Sequence, residues 1–173
     1  MRDSYVADVG DFGKYALLNA LAGVPCFGAA AREAQTRLRA EWFEDAFKSL
    51  SQAELVFLDP DNGLAPSRSK KHFRRSAKYI FEDEVATWLK RGQSVVLYQH
   101  QQRRSLSDQV SEQHKILAAG RLCHAASFHR RAARVYYILP AEDHKHRIFE
   151  RLTCFLAGEW GKHFRVCNEE FQL

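Results

Sequence analysis

The sequence predicts an α/β fold in which the central strands are parallel and a C-terminal hairpin is antiparallel. Two apolar runs of strand length, 54–58 and 94–98, are separated by an amphipathic stretch, which is typical of parallel strands joined through a helix. Two later runs, 122–128 and 134–139, are close enough in the chain to form a hairpin. The chain has 173 residues and 46% of them are apolar, so we expect a single three-layer domain over residues 1–173.

The N-terminal part of the chain predicts two helices. The first covers residues 11–21, has Asp11 as cap or first-turn acid, and ends at Gly23 and Pro25. The second covers residues 29–50, and its apolar residues recur at the spacing of one helical face. We expect that face to be buried; its residues are Leu38, Trp42, Phe43, Phe47 and Leu50.

The middle of the chain predicts two parallel strands and the helix between them. The run 54–58 has the length and the branched or aromatic content of a buried strand. A helix is predicted over 81–91, closing at Gly92, and it leads to a second buried strand over 94–98. The residues of this helix expected to face the core are Val85, Trp88 and Leu89.

The C-terminal third predicts a helix, the hairpin, a last helix and a short strand. Ser105 or Ser107 can cap a helix that runs to about residue 119. The last helix covers 141–156, and the tail predicts a short strand over 164–167. We expect the last helix to bury Ile148, Leu152 and Phe155. The histidines His114, His124, His144 and His146 are expected at the surface.

The distribution of positive charge suggests nucleic acid as a partner. The formal net charge is +5, and six of the eleven residues in 68–78 are Arg or Lys with no acid among them. We call residues 68–78 the basic segment. A basic loop is often only a solvated face, but one that adjoins a candidate site can contact phosphates. The expected phosphate contacts are Lys70, Lys71, Arg74, Arg75, Arg103 and Arg104, and Arg130, Arg131 and Arg134 add charge in predicted loops.

Other features restrict the class of protein. The cysteines Cys26, Cys123, Cys154 and Cys167 are scattered without a Cys-x-x-Cys pair, so we expect reduced, mostly packed thiols and no zinc site. No run of about 18 apolar residues is present, and the N-terminus is acidic where a signal peptide is cationic and apolar. We therefore expect a cytoplasmic protein without a membrane partner.

An acidic turn follows the first predicted strand and is the main candidate site. It consists of Asp59, Pro60, Asp61, Asn62 and Gly63, and we call it the acidic turn. Ligands of open α/β sheets bind beyond the carboxyl ends of the strands, so we expect Asp59, Asp61 and Asn62 to be catalytic. The alternative is a strand-to-loop turn in which Asp and Asn bond their own backbone.

Two further polar groups are predicted to converge on the acidic turn. Gln99 and His100 follow the second strand, and parallel pairing brings the ends of both strands to the same edge. His100 can act there as general base, metal ligand or base contact. The N-terminal segment contributes Lys14 as an anion-binding or catalytic residue. The residues expected to bind a cofactor are Asp8, Gly10 and Asp11, although a capped helix start with solvated charges explains them equally well.

Three blocks of the sequence resemble a family of bacterial proteins. The blocks are residues 10–18 (GDFGKYALL), 57–64 (FLDPDNGL) and 96–100 (VLYQH). The resemblance covers most of the chain after the first turn. It implies a shared fold and does not by itself imply an activity.

More distantly, the layout resembles the methyltransferases that act on the exocyclic amine of adenine in nucleic acid and carry Asp-Pro-Pro-Tyr at the end of a central strand. The resemblance implies a Rossmann-like three-layer fold, S-adenosylmethionine as cofactor, and Asp59 as acceptor of the amine with Pro60 as the rigid turn. Asp61 stands where that family has its second proline, and Asn62 stands where it has the aromatic residue that stacks on the base.

Two other functions remain open at this stage. Asp59, Asp61 and His100, with Asp8 or Asp11, could hold a divalent metal beside a scissile phosphate, as in a nuclease or phosphodiesterase. The chain could also be a non-catalytic nucleic-acid-binding module on a degenerate enzyme fold, because a fold does not choose among functions.

Overall fold

The computed structural model describes residues 28–119, 121–128 and 134–167. The chain divides into a first compact unit, Met1–Ala53 with Asp59–Phe81, and a second compact unit, Glu54–Leu58 with Glu82–Leu173. The helix predicted over 11–21 lies outside the described residues. The single domain over 1–173 stays a prediction.

The described residues are mixed α/β. The helices are α1 (Gly28–Ser49), α2 (Glu82–Lys90), α3 (Leu106–Leu117) and α4 (Lys145–Ala157). The strands are β1 (Leu55–Leu58), β2 (Ser94–His100), β3 (His124–Phe128), β4 (Arg134–Leu139) and β5 (Phe164–Val166). Short 3₁₀ helices cover Arg74–Lys78, Glu142–His144 and Gly161–His163.

The second unit contains one five-stranded mixed sheet with the strand order β1-β2-β4-β3-β5. β1 and β2 are parallel, as predicted, and all the other pairs are antiparallel. The β3–β4 hairpin is therefore confirmed, and the predicted tail strand pairs with β3. β1 is parallel to β2 because residues 59–93, which include α2, return the chain to the same end of the sheet.

The core of the second unit lies mainly on one face of the sheet. Alternate residues along β2 and β4 are fully buried, since successive side chains of a strand point to opposite faces. Val85 and Trp88 of α2 are also buried, as predicted, while Leu89 is half-buried, and α2 packs against β2. α2 ends at Gly92, whose φ of +85° is a conformation that glycine adopts without steric strain.

Two strand predictions are wrong in detail. β1 is an edge strand that is buried on one face only: Val56 is 2% exposed, whereas Leu55 is 53% exposed and Phe57 is 57% exposed. β2 extends to His100 because β4 continues to pair with it beyond Tyr98, so Gln99 lies within the strand and not in a loop.

Three predictions about side-chain burial are also wrong. The expected stripe of α1, which includes Trp42 and Phe47, is only half-buried, and among the α1 residues whose burial is described the buried one is Arg39. α4 begins at Lys145, after a 3₁₀ turn, and has no buried residue; Phe155 is 39% exposed. His124 is buried because both faces of β3 are covered, so that residues 124–127 are all buried.

The predicted start of α3 is confirmed. Ser105 is its N-cap, and its hydroxyl accepts a hydrogen bond from the backbone N–H of Asp108 at 3.1 Å. No helix among the described residues has the length and apolar character needed to cross a membrane.

Candidate functional site

The acidic turn is closed by its own backbone. The N–H of Gly63 donates to the carbonyl oxygen of Pro60 at 3.0 Å, and Gly63 has a φ of +73°, which favours glycine at this position. Pro60 and Gly63 are buried, whereas Asp59, Asp61 and Asn62 are exposed. The proline and the glycine therefore shape the turn and direct its polar residues to the surface.

The acidic turn and the basic segment are held together within the first unit. The N–H of Asn62 donates to the carbonyl oxygen of Lys78 at 2.8 Å, and Leu64 forms an isolated parallel bridge with Ile80. The ammonium of Lys78 lies 3.4 Å from the Oδ2 atom of Asp61. Both side chains of this ion pair are largely exposed, so we assign it little stability. It does place a cation directly beside a predicted catalytic carboxylate.

A buried arginine anchors the far part of the basic segment. Arg39 is only 2% exposed. Its Nη1 atom donates to the carbonyl oxygen of Ser76 at 3.0 Å, and its Nη2 atom donates to that of Tyr79 at 2.9 Å. The guanidinium carbon lies 4.8 Å from the centre of the Phe81 ring, within the range of a cation–π contact. The planar guanidinium of Arg39 thus holds two backbone carbonyl groups, those of Ser76 and Tyr79, in place.

The basic segment also has internal hydrogen bonds. The hydroxyl of Ser76 donates to the carbonyl oxygen of Lys71 at 2.5 Å, and the N–H of Phe73 donates to that of Lys70 at 3.0 Å. The Lys71 ammonium lies 5.5 Å from the centre of the Phe81 ring. Arg68 and Lys70 are exposed, and neither forms an ion pair with any of the described residues. Of the two expected phosphate contacts here whose burial is described, Lys70 is exposed and Lys71 is half-buried.

In the second unit, β2 ends in an exposed histidine beside a tyrosine. The His100 ring meets the Tyr98 ring edge to face, with centroids 4.9 Å apart and an interplanar angle of 81°. The Tyr98 hydroxyl is 3.3 Å from the Nδ1 atom of His100. Because the Tyr98 hydroxyl lies near both ring nitrogens, either tautomer of the imidazole can take part in this contact.

Gln99 does not belong to an exposed site. It is 1% exposed, and its Oε1 atom accepts a hydrogen bond from the Nε2 atom of Gln113 at 3.0 Å. The Tyr137 hydroxyl donates to the Oε1 atom of Gln113 at 2.6 Å. Burial raises the pKa of Tyr137 far above its usual range, so its phenol stays protonated. We call Gln99, Gln113 and Tyr137 the buried amide chain.

A second buried amide holds the end of β2. The Nε2 atom of Gln109 donates to the carbonyl oxygen of His100 at 3.1 Å, and its Oε1 atom accepts from the N–H of Gln102 at 2.7 Å. Arg103 is exposed, as predicted, but Arg104 is paired with Glu112. Arg104 is therefore less accessible to a phosphate than expected. Arg134 is the first residue of β4, as the predicted hairpin strand over 134–139 implies, and does not lie in a loop.

Several predicted site residues lie outside the described part of the chain or have no described side chain. Asp8, Gly10, Asp11 and Lys14 lie outside the described residues, as do Arg130 and Arg131. For Arg74 and Arg75 only the backbone is described, as part of the 3₁₀ helix Arg74–Lys78. The acidic turn belongs to the first unit and His100 to the second, so their convergence stays a prediction.

Groups that could hold a metal ion are absent from the described part of the chain: no three His, Cys, Asp or Glu side chains are suitably arranged there. The cysteines in that part are free thiols. Cys123 is buried, Cys154 is exposed and Cys167 is half-buried, so the expected packing holds for Cys123 best.

Comparison with known proteins found no match to this chain among family models, curated proteins or solved structures. Any inference about function therefore depends on this chain's own residues.

Sequence reasoning missed Arg39, Gln109 and Gln113. Arg39 occupies a position within the apolar stripe of α1, and an arginine in such a stripe is a signal for a buried guanidinium with carbonyl partners. The two glutamines lie on the face of α3 that also carries Val110 and Leu117, and all four residues are buried. A polar residue on an apolar helical face was the available signal in both cases.

Proposed function

We propose that this protein binds nucleic acid and that the basic segment contacts the phosphates. The observation that supports the proposal is the anchoring of a cationic loop by the buried Arg39. A loop that is already ordered loses less conformational entropy when a ligand binds. Exposed cations on such a loop contact phosphates with less reorganisation than cations on a free chain.

The charges in the first unit fit a polyanionic ligand. Arg68 and Lys70 are exposed without an acidic partner among the described residues, whereas the exposed cations Arg37 and Lys48 of α1 are paired with Glu41 and Glu44. The basic segment itself has no acid. Positive charge that is not neutralised by the protein can displace counterions from nucleic acid, which is the main source of affinity in such complexes.

Removing two charges from the basic segment should weaken binding. We expect the double variant Arg68→Gln/Lys70→Gln to bind a fluorescent oligonucleotide on the order of tenfold more weakly than the unmodified chain at low ionic strength. Fluorescence anisotropy measures the affinity. The matched control is Arg37→Gln/Lys48→Gln, which removes the same charge from the same unit but from residues that already have acidic partners.

The control pair should leave the affinity within about twofold, because its charges are neutralised in the folded protein. Equal weakening by both pairs would show that total charge, and not the basic segment, governs binding. A folded protein that binds no oligonucleotide would contradict the proposal entirely.

A second candidate function, methyl transfer to an adenine amine, is favoured by the position of Asp59. Asp59 directly follows the edge strand β1, which pairs in parallel with the interior strand β2. The Pro60 carbonyl oxygen accepts one hydrogen bond, from Gly63, and has a second lone pair for another donor. On this proposal the mixed sheet is the core of a Rossmann-like three-layer domain that uses S-adenosylmethionine, as the resemblance to adenine methyltransferases implies.

Methyl transfer should depend on the Asp59 carboxylate. With labelled S-adenosylmethionine and an adenine-containing oligonucleotide, we expect Asp59→Asn to reduce the rate by about 100-fold, as for the loss of one group that binds the reacting centre. The matched control is Asp45→Asn, which removes an exposed carboxylate of α1 in the same unit. Equal rates for the two variants, or no transfer by the folded protein, would contradict this proposal.

A divalent-metal nuclease is the rival proposal for the same turn. The Lys78 ammonium at 3.4 Å from Asp61 would have to yield to a metal ion, because the two cations would compete for the same carboxylate. Cleavage of the oligonucleotide in the presence of Mg²⁺ or Mn²⁺, lost in Asp61→Asn, would favour this rival. Binding without either product would favour a non-catalytic nucleic-acid-binding module.

A further inference from the structure

Four side chains of the second unit share one face of the sheet at the end of β2. The register places Tyr98 opposite Tyr136 and His100 opposite Arg134 on neighbouring strands. Residues at alternate positions of a strand point to the same face, so Tyr98 and His100 lie on one face with Tyr136 and Arg134. We call these four residues the aromatic patch.

The aromatic patch differs from the other face of the same strands. The intervening residues Leu97, Gln99, Val135 and Tyr137 are completely or almost completely buried. In contrast, Tyr98, Tyr136 and Arg134 are half-buried and His100 is exposed. The patch therefore presents aromatic surface to solvent on a backbone that the buried face holds firmly.

The rings of the aromatic patch support one another. The Tyr98 and Tyr136 centroids are 5.5 Å apart at an angle of 62°, and the His100 ring meets Tyr98 at 4.9 Å. Gln109 holds the backbone on both sides of Gln101 through the His100 carbonyl and the Gln102 N–H. Because the neighbouring rings and the backbone restrict their rotation, these side chains lose little freedom when they contact a ligand.

The charge around the aromatic patch favours an anionic ligand. The strands β2, β3, β4 and β5 contain no Asp or Glu, and Arg134 adds a cation on the face of the patch itself. Arg103 is exposed three residues beyond β2, and Lys162 is exposed two residues before β5. Positive groups around exposed aromatic rings form the combination that binds single-stranded nucleic acid by stacking and phosphate contact.

We infer that the aromatic patch is a base-stacking site for single-stranded nucleic acid. Tyr98, Tyr136 and His100 offer ring surfaces to unpaired bases, and Arg134 contacts a phosphate or stacks on a base. Bases in a duplex are already stacked on one another, so their faces are not available to these rings. The inference rests on the proposed function for the class of ligand, but it adds a second contact site and a preference for single strands.

The first experiment changes only the ligand. The unmodified full chain is titrated with a fluorescent deoxythymidine or uridine oligonucleotide, with an abasic oligonucleotide of the same length, and with a duplex. We expect the abasic strand to bind about 10- to 100-fold more weakly than the base-carrying strand, since stacking contributes substantially for each base. We also expect the single strand to bind more tightly than the duplex. Equal affinity for base-carrying and abasic strands would overturn the inference, whatever the behaviour of any variant.

The second experiment changes the patch. Tyr98→Leu and Tyr136→Leu keep an apolar side chain but remove the ring, and each should weaken single-strand binding about 10- to 100-fold without a change in salt dependence. Tyr98→Phe should retain the affinity. The control is Phe149→Leu, which removes a ring of α4 that is 40% exposed and lies off the sheet. Thermal melts establish that each variant is folded.

The two proposals can fail separately. If the leucine variants weaken binding while Arg68→Gln/Lys70→Gln does not, the aromatic patch stands and the basic segment fails as the phosphate site. If only the charge variant weakens binding, the aromatic patch is refuted and the basic segment stands. Binding to neither single nor double strands by the folded chain would refute both.

Discussion

Replacing Arg39 by alanine should destabilise the protein by about 3–6 kcal/mol, because hydrogen bonds with a charged donor contribute about 1.5–3 kcal/mol each and Arg39 donates to the carbonyl groups of both Ser76 and Tyr79. The carbonyl oxygen of Ser76 keeps a second donor, the N–H of Tyr79, but the carbonyl oxygen of Tyr79 loses the Arg39 donor. Urea denaturation followed by circular dichroism measures the change in the free energy of unfolding.

Two further variants of α1 test whether the loss of stability is specific to the guanidinium of Arg39. Arg37→Ala removes an exposed arginine that is paired with Glu41, and it should change the free energy of unfolding by less than about 0.5 kcal/mol. Arg39→Lys should recover only part of the loss, because an ammonium cannot match the planar fork that reaches both carbonyls. A loss below about 1 kcal/mol in Arg39→Ala would show that water or neighbouring groups replace the guanidinium, and that Arg39 does not anchor the basic segment.

Replacing Tyr137 by phenylalanine should destabilise the protein by about 1–3 kcal/mol, because the Oε1 atom of Gln113 loses its donor in a buried environment. Gln113→Leu should cause a larger loss, since the Tyr137 hydroxyl then loses its acceptor and the buried Oε1 atom of Gln99 loses the Gln113 donor. The double variant Tyr137→Phe/Gln113→Leu should be more stable than the sum of the single losses predicts by about 1–2 kcal/mol. Purely additive losses would contradict the described hydrogen bond.

The neighbouring tyrosine provides the control for this network. Tyr136 points to the other face and is half-buried, so Tyr136→Phe should change the free energy of unfolding by less than about 0.5 kcal/mol. Measurements at several pH values add an independent check. Burial raises the pKa of Tyr137, so the stability that its proton contributes is complete below a pH of about 10 and falls as the pH rises further. The deficit of Tyr137→Phe relative to the unmodified chain should therefore shrink above that pH.

The parts of the fold that depend on local signals could be predicted from the sequence. Ser105 marks the start of α3, Gly92 marks the end of α2, and the connection between β3 and β4 is short enough for a hairpin. These features are fixed by residues that are neighbours in the chain. The parallel pairing of β1 and β2 also follows from local order, since a helix lies between the two runs.

The predictions that were wrong concern features that depend on residues far apart in the chain. Arg39 is buried because of carbonyl groups 37 and 40 residues away, and no local pattern specifies them. Leu55 and Phe57 are exposed while Val56 between them is buried, and a single apolar run does not show which face of a strand other elements will cover. Gln99 could have been recognised, since it follows Val95 and Leu97 at the two-residue period of the buried face.

At the candidate site, too, the local features were predicted from the sequence and the contacts between residues far apart in the chain were not. The sequence correctly placed the acidic turn directly after β1, because Pro60 and Gly63 cannot continue a strand. It did not reveal that Lys78 lies beside Asp61, or that Arg39 anchors the basic segment, because both contacts join residues far apart in the chain. The aromatic patch depends on the pairing of β2 with β4, which brings Tyr98 and Tyr136 together across 38 positions of the sequence.

The most direct test of nucleic-acid binding by the basic segment is the salt dependence of affinity. Anisotropy titrations with a single-stranded oligonucleotide between about 50 and 200 mM salt give the slope of log K against log salt concentration. If Arg68 and Lys70 contact phosphates, the slope for Arg68→Gln/Lys70→Gln should be smaller by about 1.4–1.8, while Arg37→Gln/Lys48→Gln should keep the slope of the unmodified chain. The same slope for all three proteins would contradict phosphate contact by the basic segment.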